Sequence, residues 1–273
     1  MPLQHLHQLA VAGPRHPLVR AYLHARRRGR PPAGASSVAL EGYWAARAAI
    51  AASRPLEALF VVPSLVRDDR VLALAAEVAD GGAPLLRVGE TLFRRMVDRD
   101  GPDGLAALVR WRSWSWSDVA VTPQARVLVA DRPGSPGNVG SMIRCAEGAG
   151  ASGVVLADSV LATASHAVVK ASMGTIFTVP TVAATAADAR GWLRRHRFRT
   201  VAASPTATRS YREAVYGPPV AIVVGNERQG LSPEWSRFAD VRVSIPMHGN
   251  ADSLNVATAA ALLLYEAMHA PPA

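Results

Sequence analysis

Apolar residues along this chain gather in short blocks separated by helix-like stretches. From residue 38 to 110, Val38–Leu40 reads as a short strand and the alanine-rich Tyr43–Ala52 as a helix. Ala58–Val62 follows as a buried strand closed by Pro63, and Leu65–Ala79 as a helix closed by Gly81 and Gly82. Leu85–Val88, Thr91–Val97 and Leu105–Arg110 complete the series as strand, helix and strand. Beyond residue 125, strands are predicted at Val127–Ala130, Val154–Leu156, Phe177–Val179, Thr200–Ala202, Ala221–Val224 and Val241–Ile245. These runs lack the alternation of a half-exposed strand, which marks strands covered on both faces. Helical segments separate most of them, so the sheet is expected to be mostly parallel. The last helix, opening near Ser253 and continuing to Met268, is apolar nearly all round and is expected to be buried or to lie at a subunit interface.

The pattern yields four regions: an arm over 1–37, a small α/β domain over 38–112, a linker over 113–124 and a larger α/β domain over 125–273. Leu18, Tyr22 and Leu23 form a stripe that suits a short helix within the arm. Trp111, Trp114 and Trp116 are set either to stack on bases or to pack the domains together, and packing is the favoured reading.

Charge changes the picture at the amino terminus. The chain of 273 residues carries +9, with 30 basic and 21 acidic residues. Six arginines and no acid fall within 1–37, and Arg26, Arg27, Arg28 and Arg30 are candidate contacts for the phosphates of a nucleic acid. Cys145 is the only cysteine, so no intramolecular disulfide forms; a reducing cytoplasm is expected. No apolar stretch is long enough to cross a membrane. No H-E-x-x-H or paired cysteine set points to a metal, and no G-x-S-x-G to a serine nucleophile.

Three strand ends carry unusual sequences, and open parallel sheets bind ligands beyond such ends. The first, Asp131 to Gly140, is a proline- and glycine-rich turn in which Asn138 suits a helix N-cap, with Arg144 six residues on. Its glycines follow G-x-x-G-x-x-G, unlike a dinucleotide fingerprint. The second, Gly225 to Ser232, has the glycine spacing of a phosphate loop but puts Leu231 at the lysine position. Glu227 there needs a partner such as Arg144. The third, Ser244 to Asn255, offers Asp252 or Ser253 as a helix cap and places His248 nearby.

Together the segments "SPGNVGSMIRCAEGAGASGV", "AIVVGNERQGLS" and "VSIPMHGNADSLNVATAAALLLYEA" resemble, in order and spacing, the motifs of the SPOUT superfamily of methyltransferases on its SpoU/TrmH branch. Within that branch "DRPGSPGNVGSMIR" is most similar to the avilamycin-resistance type of ribosomal RNA ribose methyltransferase. Residues 38–110 more faintly resemble the ribosomal-protein-like α/β domain that precedes the catalytic domain in many members. The resemblance implies a trefoil-knotted, parallel-sheet methyltransferase domain, a homodimer, and S-adenosyl-L-methionine as cofactor. It implies 2′-O-methylation of ribose in structured RNA, with large-subunit ribosomal RNA ahead of transfer RNA and a link to antibiotic resistance. By position it implies Gly225, Asn226, Ile245, Met247 and Leu254 as cofactor-binding residues. Asn138, Arg144, Glu227, Ser253 and Asn255 match its catalytic positions. A non-catalytic RNA-binding protein of the same fold is the alternative. A nicotinamide oxidoreductase is disfavoured by the missing fingerprint.

Overall fold

The computed structural model describes residues 3–27, 37–98 and 103–269. The chain forms two compact units, one from the chain up to Arg112 together with Ala164–Thr178, the other from Ser113–Thr163 and from Val179 onward. The elements, in chain order, are α1 (Leu3–Gln8), α2 (Pro17–Arg27), β1 (Ser37–Glu41), α3 (Gly42–Ala51), β2 (Leu56–Val61), α4 (Asp69–Asp80), β3 (Leu85–Arg87), α5 (Glu90–Met96) and β4 (Leu105–Arg110). They continue with β5 (Arg126–Asp131), α6 (Pro136–Gly148), β6 (Gly153–Ala157), α7 (His166–Ala171), β7 (Thr181–Ala184), α8 (Ala186–Arg195), β8 (Arg199–Ala203), β9 (Val220–Val224), α9 (Pro233–Phe238), β10 (Val241–Val243) and α10 (Val256–His269).

The first unit is built on a four-stranded sheet of order β1-β4-β2-β3, in which only β2 and β3 run parallel. Its core gathers Ala39, Phe60, Phe93, Met96 and Leu108. Residues 3–27 are not a free arm. Leu6, Val19 and Tyr22 are fully buried, and Leu18 and Leu23 pack beside that core. The Tyr22 ring meets Phe60 edge-on at 5.4 Å, and its hydroxyl donates to the Leu40 carbonyl at 3.1 Å. Apolar burial of this size holds the helix far more firmly than its intrinsic propensity would.

Arg26, an expected RNA contact, is engaged within the first unit. It donates to Asp98 at 2.7 Å, and Lys170 of α7 donates to the other oxygen of Asp98 at 2.6 Å. The Lys170 and Arg26 hydrogen bonds hold the Asp98 carboxyl down at about 2, well below the usual carboxylate range. His166 Nε2 lies 2.9 Å from Glu41 Oε1 beside them. Ligating atoms of Glu41, Asp98 and His166 come within 4.8 Å of one another. With Arg26 and Lys170 already neutralising the carboxylates, the cluster is an ion-pair network that binds α7 and α2 to β1. Arg27 is exposed at the end of α2. Arg28 and Arg30 lie outside the described residues.

Phe177–Val179 is not a strand. Thr175–Phe177 forms a 3₁₀ turn after Gly174, whose φ of +90° belongs to glycine. A Cβ there would stand 2.7 Å from that of Ala48, so the missing side chain is also what lets this segment approach α3. Trp111 packs edge-on against Phe177 in the same unit. Trp116 stacks on Trp192 and Trp114 packs on the core of the second unit, so these indoles are structural.

The second unit holds a six-stranded sheet, parallel throughout, of order β10-β8-β9-β5-β6-β7. The chain steps outward from β5 through β6 to β7, then returns across the sheet to β8 and fills the gap with β9. All residues of β6 and β9 are buried. Val127, Val129, Ala221 and Val223 pack with Trp192, Leu193 and Trp235 of α8 and α9. The helix α10 packs against α6, β9 and β5. The strand β7, unmarked by any long apolar run, pairs with β6. Because all strands are parallel, the segments after β5, β8, β9 and β10 emerge at one edge. No helix among the described residues is long and apolar enough to cross a membrane.

Replacing Tyr22 with alanine is expected to cost about 3–5 kcal/mol in urea unfolding, as for other buried aromatics. Phenylalanine there should lose only the hydrogen bond, about 1 kcal/mol. An unchanged midpoint for the alanine variant would show that α2 is dispensable to the first unit.

Candidate active site

The three unusual segments meet at the carboxyl edge of the six-stranded sheet. They line a cavity of about 710 Å³ with the end of β8, Ala203 to Pro205. Its wall contains Asn138, Gly225, Asn226, Glu227, Ile245, Met247, Ser253, Leu254 and Asn255. The β8 end went unremarked in the sequence, although any strand end at this edge of a parallel sheet qualifies.

Local chemistry explains how the first segment presents Asn138. Ser135, not Asn138, caps α6, accepting from the Asn138 amide at 3.4 Å, and Pro136 occupies the first turn, where its missing N–H costs nothing. The Asn138 side chain is therefore released to donate to Glu227 Oε1 at 2.9 Å. Asn255 closes the chain by donating to Asn138 Oδ1 at 3.0 Å. Its own oxygen accepts from the Ala257 amide at 2.9 Å, so Asn255, and neither Asp252 nor Ser253, caps α10. One row of side chains thus joins all three segments.

Glu227 is tied without an arginine. Its carboxylate accepts from the backbone amides of Gly134 and Ser135 at 3.0 and 3.2 Å and from Asn138. Burial pushes its pKa up, but the hydrogen bonds from Asn138 and from its own, the Gly134 and the Ser135 amides outweigh that and hold it below the ordinary value. Glu227 is exposed as a residue rather than sunk beneath the strand.

The loop after β9 is shaped by its own backbone. Asn226 and Gly230 exchange two hydrogen bonds of 3.0 and 2.9 Å. A Cβ on Gly225 would stand 2.3 Å from the Gly230 carbonyl carbon, so only glycine allows this closure. Asn226 spends its side chain holding the loop: it donates to the Arg132 carbonyl at 2.7 Å and accepts from the Arg228 and Gln229 amides. The buried Asp131 anchors the far end by accepting from Ser232 at 2.7 Å. Residues 245–254 behave differently. Among the described residues, none of their backbone groups pairs with another backbone group. Backbone polar groups left unpaired at a pocket wall await a ligand or water.

Arg144 is absent from this wall. It is exposed on α6, six residues beyond Asn138 and so about 9 Å along the helix axis. It has no ion pair or hydrogen bond among the described residues, which removes the expected Arg144–Glu227 pair. His248 is exposed and also outside the wall.

The profile of the SpoU rRNA Methylase family matches residues 125–265. The chain belongs to this family. A 23S rRNA (uridine(2479)-2′-O)-methyltransferase of Streptomyces viridochromogenes is 31% identical over 175 residues, covering 62% of this chain and 61% of that protein. The match therefore spans under two thirds of that relative's length. A solved RNA 2′-O ribose methyltransferase is 33% identical with a TM-score of 0.81, covering 94% of this chain and 97% of the other. An AdoMet-bound rRNA methyltransferase from Sinorhizobium meliloti is 28% identical with a TM-score of 0.78, covering 94% and 96%.

The ionised Glu227 gives this SpoU-family site a pH signature. Its folded pKa lies below the unfolded value, so its contribution is present above the unfolded pKa and fades as pH falls through the folded one. Glu227→Gln is expected to be less stable than the parent at pH 7, by about 1 kcal/mol for the weakened hydrogen bonds. The gap should shrink below pH 4, and a gap that is constant or widening with acid in paired urea titrations would refute the carboxylate's role.

Proposed function

We propose that this protein is an S-adenosylmethionine-dependent RNA ribose 2′-O-methyltransferase acting on large-subunit ribosomal RNA. The observation that carries the reading is the meeting of three strand-end segments, tied by Asn255, Asn138 and Glu227, around one cavity of about 710 Å³. That volume suits a ligand of nucleoside size with a tail. Val224, Ile245 and Leu254 offer apolar walls for a flat base, and the unpaired backbone of 245–254 offers donors and acceptors for its edge. Gly225, Asn226, Ile245, Met247 and Leu254 would hold the cofactor, Asn226 through its backbone because its side chain is already engaged. When bound, S-adenosylmethionine supplies a methyl group already activated on a sulfonium.

The chain then has to align a ribose hydroxyl and favour loss of its proton. Alignment alone contributes about 7–11 kcal/mol in favourable cases. Asn138, Ser253 and Asn255 line the polar side of the cavity and orient the sugar. Arg144 meets the RNA from the exposed side of α6. A guanidinium stays protonated at any working pH, so it serves as a clamp on a phosphate and a field that stabilises the developing alkoxide, and not as the base.

The finer parts of the reading are a trefoil knot, a homodimer, a cytoplasmic location and a role in antibiotic resistance. Family membership and the motif likeness to the avilamycin-resistance type support the knot and the resistance role. A reducing compartment suits a chain with one cysteine. The dimer is supported by α10, which leaves Leu262 and Tyr265 exposed at 37% and 44%, three residues apart on one face. The first unit would serve as the RNA-reading domain, with Arg27 among its contacts.

Two outcomes test this. Arg144→Ala should lower methyl transfer to RNA by 100-fold or more, on the order of losing one stabilising donor, while calorimetry gives an unchanged affinity for S-adenosylmethionine. Near-normal turnover would end the assignment. Light scattering should show a dimer at micromolar concentration that Leu262→Glu with Tyr265→Glu converts to monomer; a monomeric parent would remove the dimer from the account.

A further inference from the structure

Five of the thirteen arginines of the second unit fall within one stretch of fourteen residues, α8 and the turn that follows it into β8. Residues 186–199 hold Arg190, Arg194, Arg195, Arg197 and Arg199 against Asp188 alone, a net +4 of the chain's +9. Complementing a helix C-terminus explains Arg194 and Arg195. It explains neither Arg190, a turn earlier, nor Arg197, which sits past the helix end with a left-handed φ of +56°.

These side chains are held but not neutralised. The Arg190 guanidinium stands 5.6 Å from the centre of the Trp235 ring, and that of Arg194 4.9 Å from Phe238. The two rings meet edge-on at 5.5 Å and form one aromatic ledge on α9. A guanidinium resting over a ring keeps the donors at its edge available for another acceptor. Neighbouring acids are committed elsewhere. Asp188 accepts from Thr185 at 2.7 Å, Asp240 accepts from Thr200, and Glu234 faces Arg237 at 3.7 Å. Among the described residues no carboxylate pairs with Arg190, Arg194, Arg195 or Arg197, and Nη1 of Arg190 is buried without a hydrogen-bond partner.

The row begins beside the active site. Arg190 shares a second cavity, of about 300 Å³, with Arg132, Asp158 and Glu234. Asp158 is engaged by the Ala186 amide at 3.0 Å. Arg132, whose Nε lies 3.4 Å from the buried Asp131 carboxylate, donates to Gln229 at 3.0 Å, in the loop whose residues 225–228 and 230 line the active-site cavity. From there α8 runs antiparallel to the strands, so Arg190, Arg194 and Arg197 descend from the carboxyl edge of the sheet toward its opposite edge.

We propose that Arg190, Arg194, Arg195 and Arg197 form a track for the phosphodiester backbone of the substrate RNA, leading away from the methyl-transfer site along α8. This rests on the RNA methyltransferase reading above. Phosphate contacts of this kind fix register and add affinity without reading sequence. They act alike on ground and transition states, so their loss raises KM and leaves kcat unchanged.

The test compares three variants of the full-length protein for binding to a 23S rRNA transcript at several salt concentrations, each also assayed for S-adenosylmethionine affinity and methyl transfer. The first carries Arg190→Gln, Arg194→Gln and Arg197→Gln. The second carries lysine at the same positions. The third, a control of equal charge, carries Arg212→Gln, Arg237→Gln and Arg242→Gln, second-unit arginines engaged by Tyr211, Glu234 and Ser236. The track predicts a log–log salt slope shallower by about two units for the first variant, at 0.7–0.9 per lost contact. It predicts a raised KM with kcat kept, a parental slope for the lysine variant and a parental slope for the control. If the first variant fails to fold, the exposed pair Arg194→Gln with Arg197→Gln should still lower the slope by about one unit or more. A parental slope in the glutamine variants, or an equal change in the control, overturns the track. A parent that binds S-adenosylmethionine yet methylates no RNA overturns the methyltransferase reading instead, whatever the slopes show.

Discussion

The candidate active site depends on one short line of hydrogen bonds, from Asn255 to Asn138 to Glu227 to the amides of Gly134 and Ser135. Its members come from three segments far apart in the chain. Each bond is worth little by itself, since folding trades it against water. Together they set the spacing of three loops that otherwise share only a sheet edge. The charge on Glu227 matters because it lets one acceptor gather several donors, and charge-assisted bonds are shorter and stronger than neutral ones.

The rest of the second unit serves that line. Parallel strands buried on both faces bring four chain ends to one edge. The loop after β9 closes on itself through Asn226 and Gly230, and a side chain on Gly225 would prevent it. Among the described residues the segment 245–254 is left without backbone partners, which is costly in a protein interior but leaves donors and acceptors free at the wall of a cavity. The closed loop and the unpaired segment line the same cavity.

Much of this was legible from the chain. The apolar runs of β5, β6, β8 and β9 sit where the sequence places them, because strands covered on both faces need no alternation to be recognised. Nine of the ten proposed catalytic and cofactor residues stand on one cavity wall. What escaped sequence reading depended on tertiary contacts. The stripe Leu18, Tyr22, Leu23 was visible, but not the buried site that turns α2 from an arm into part of a core. Caps at Ser135 and Asn255 were misplaced by a few residues, since Ser, Asp and Asn are near-equal capping residues and only geometry chooses among them. Phe177 belongs to an apolar run that reads as a strand, yet it packs on Trp111 after the turn at Gly174. Charge alone pairs Arg144 with Glu227, but backbone amides and Asn138 take that place.

The central claim is that the cavity directs a methyl group to a ribose oxygen of RNA. The most direct measurement gives the protein S-adenosylmethionine with an isotopically labelled methyl group and a 23S rRNA transcript, then identifies the labelled nucleoside after complete digestion. The account predicts label in a 2′-O-methyl nucleoside at a position that resists alkaline cleavage, because the blocked oxygen is the one that attacks the neighbouring phosphate. Label on a base, or none in RNA despite bound cofactor, would contradict it.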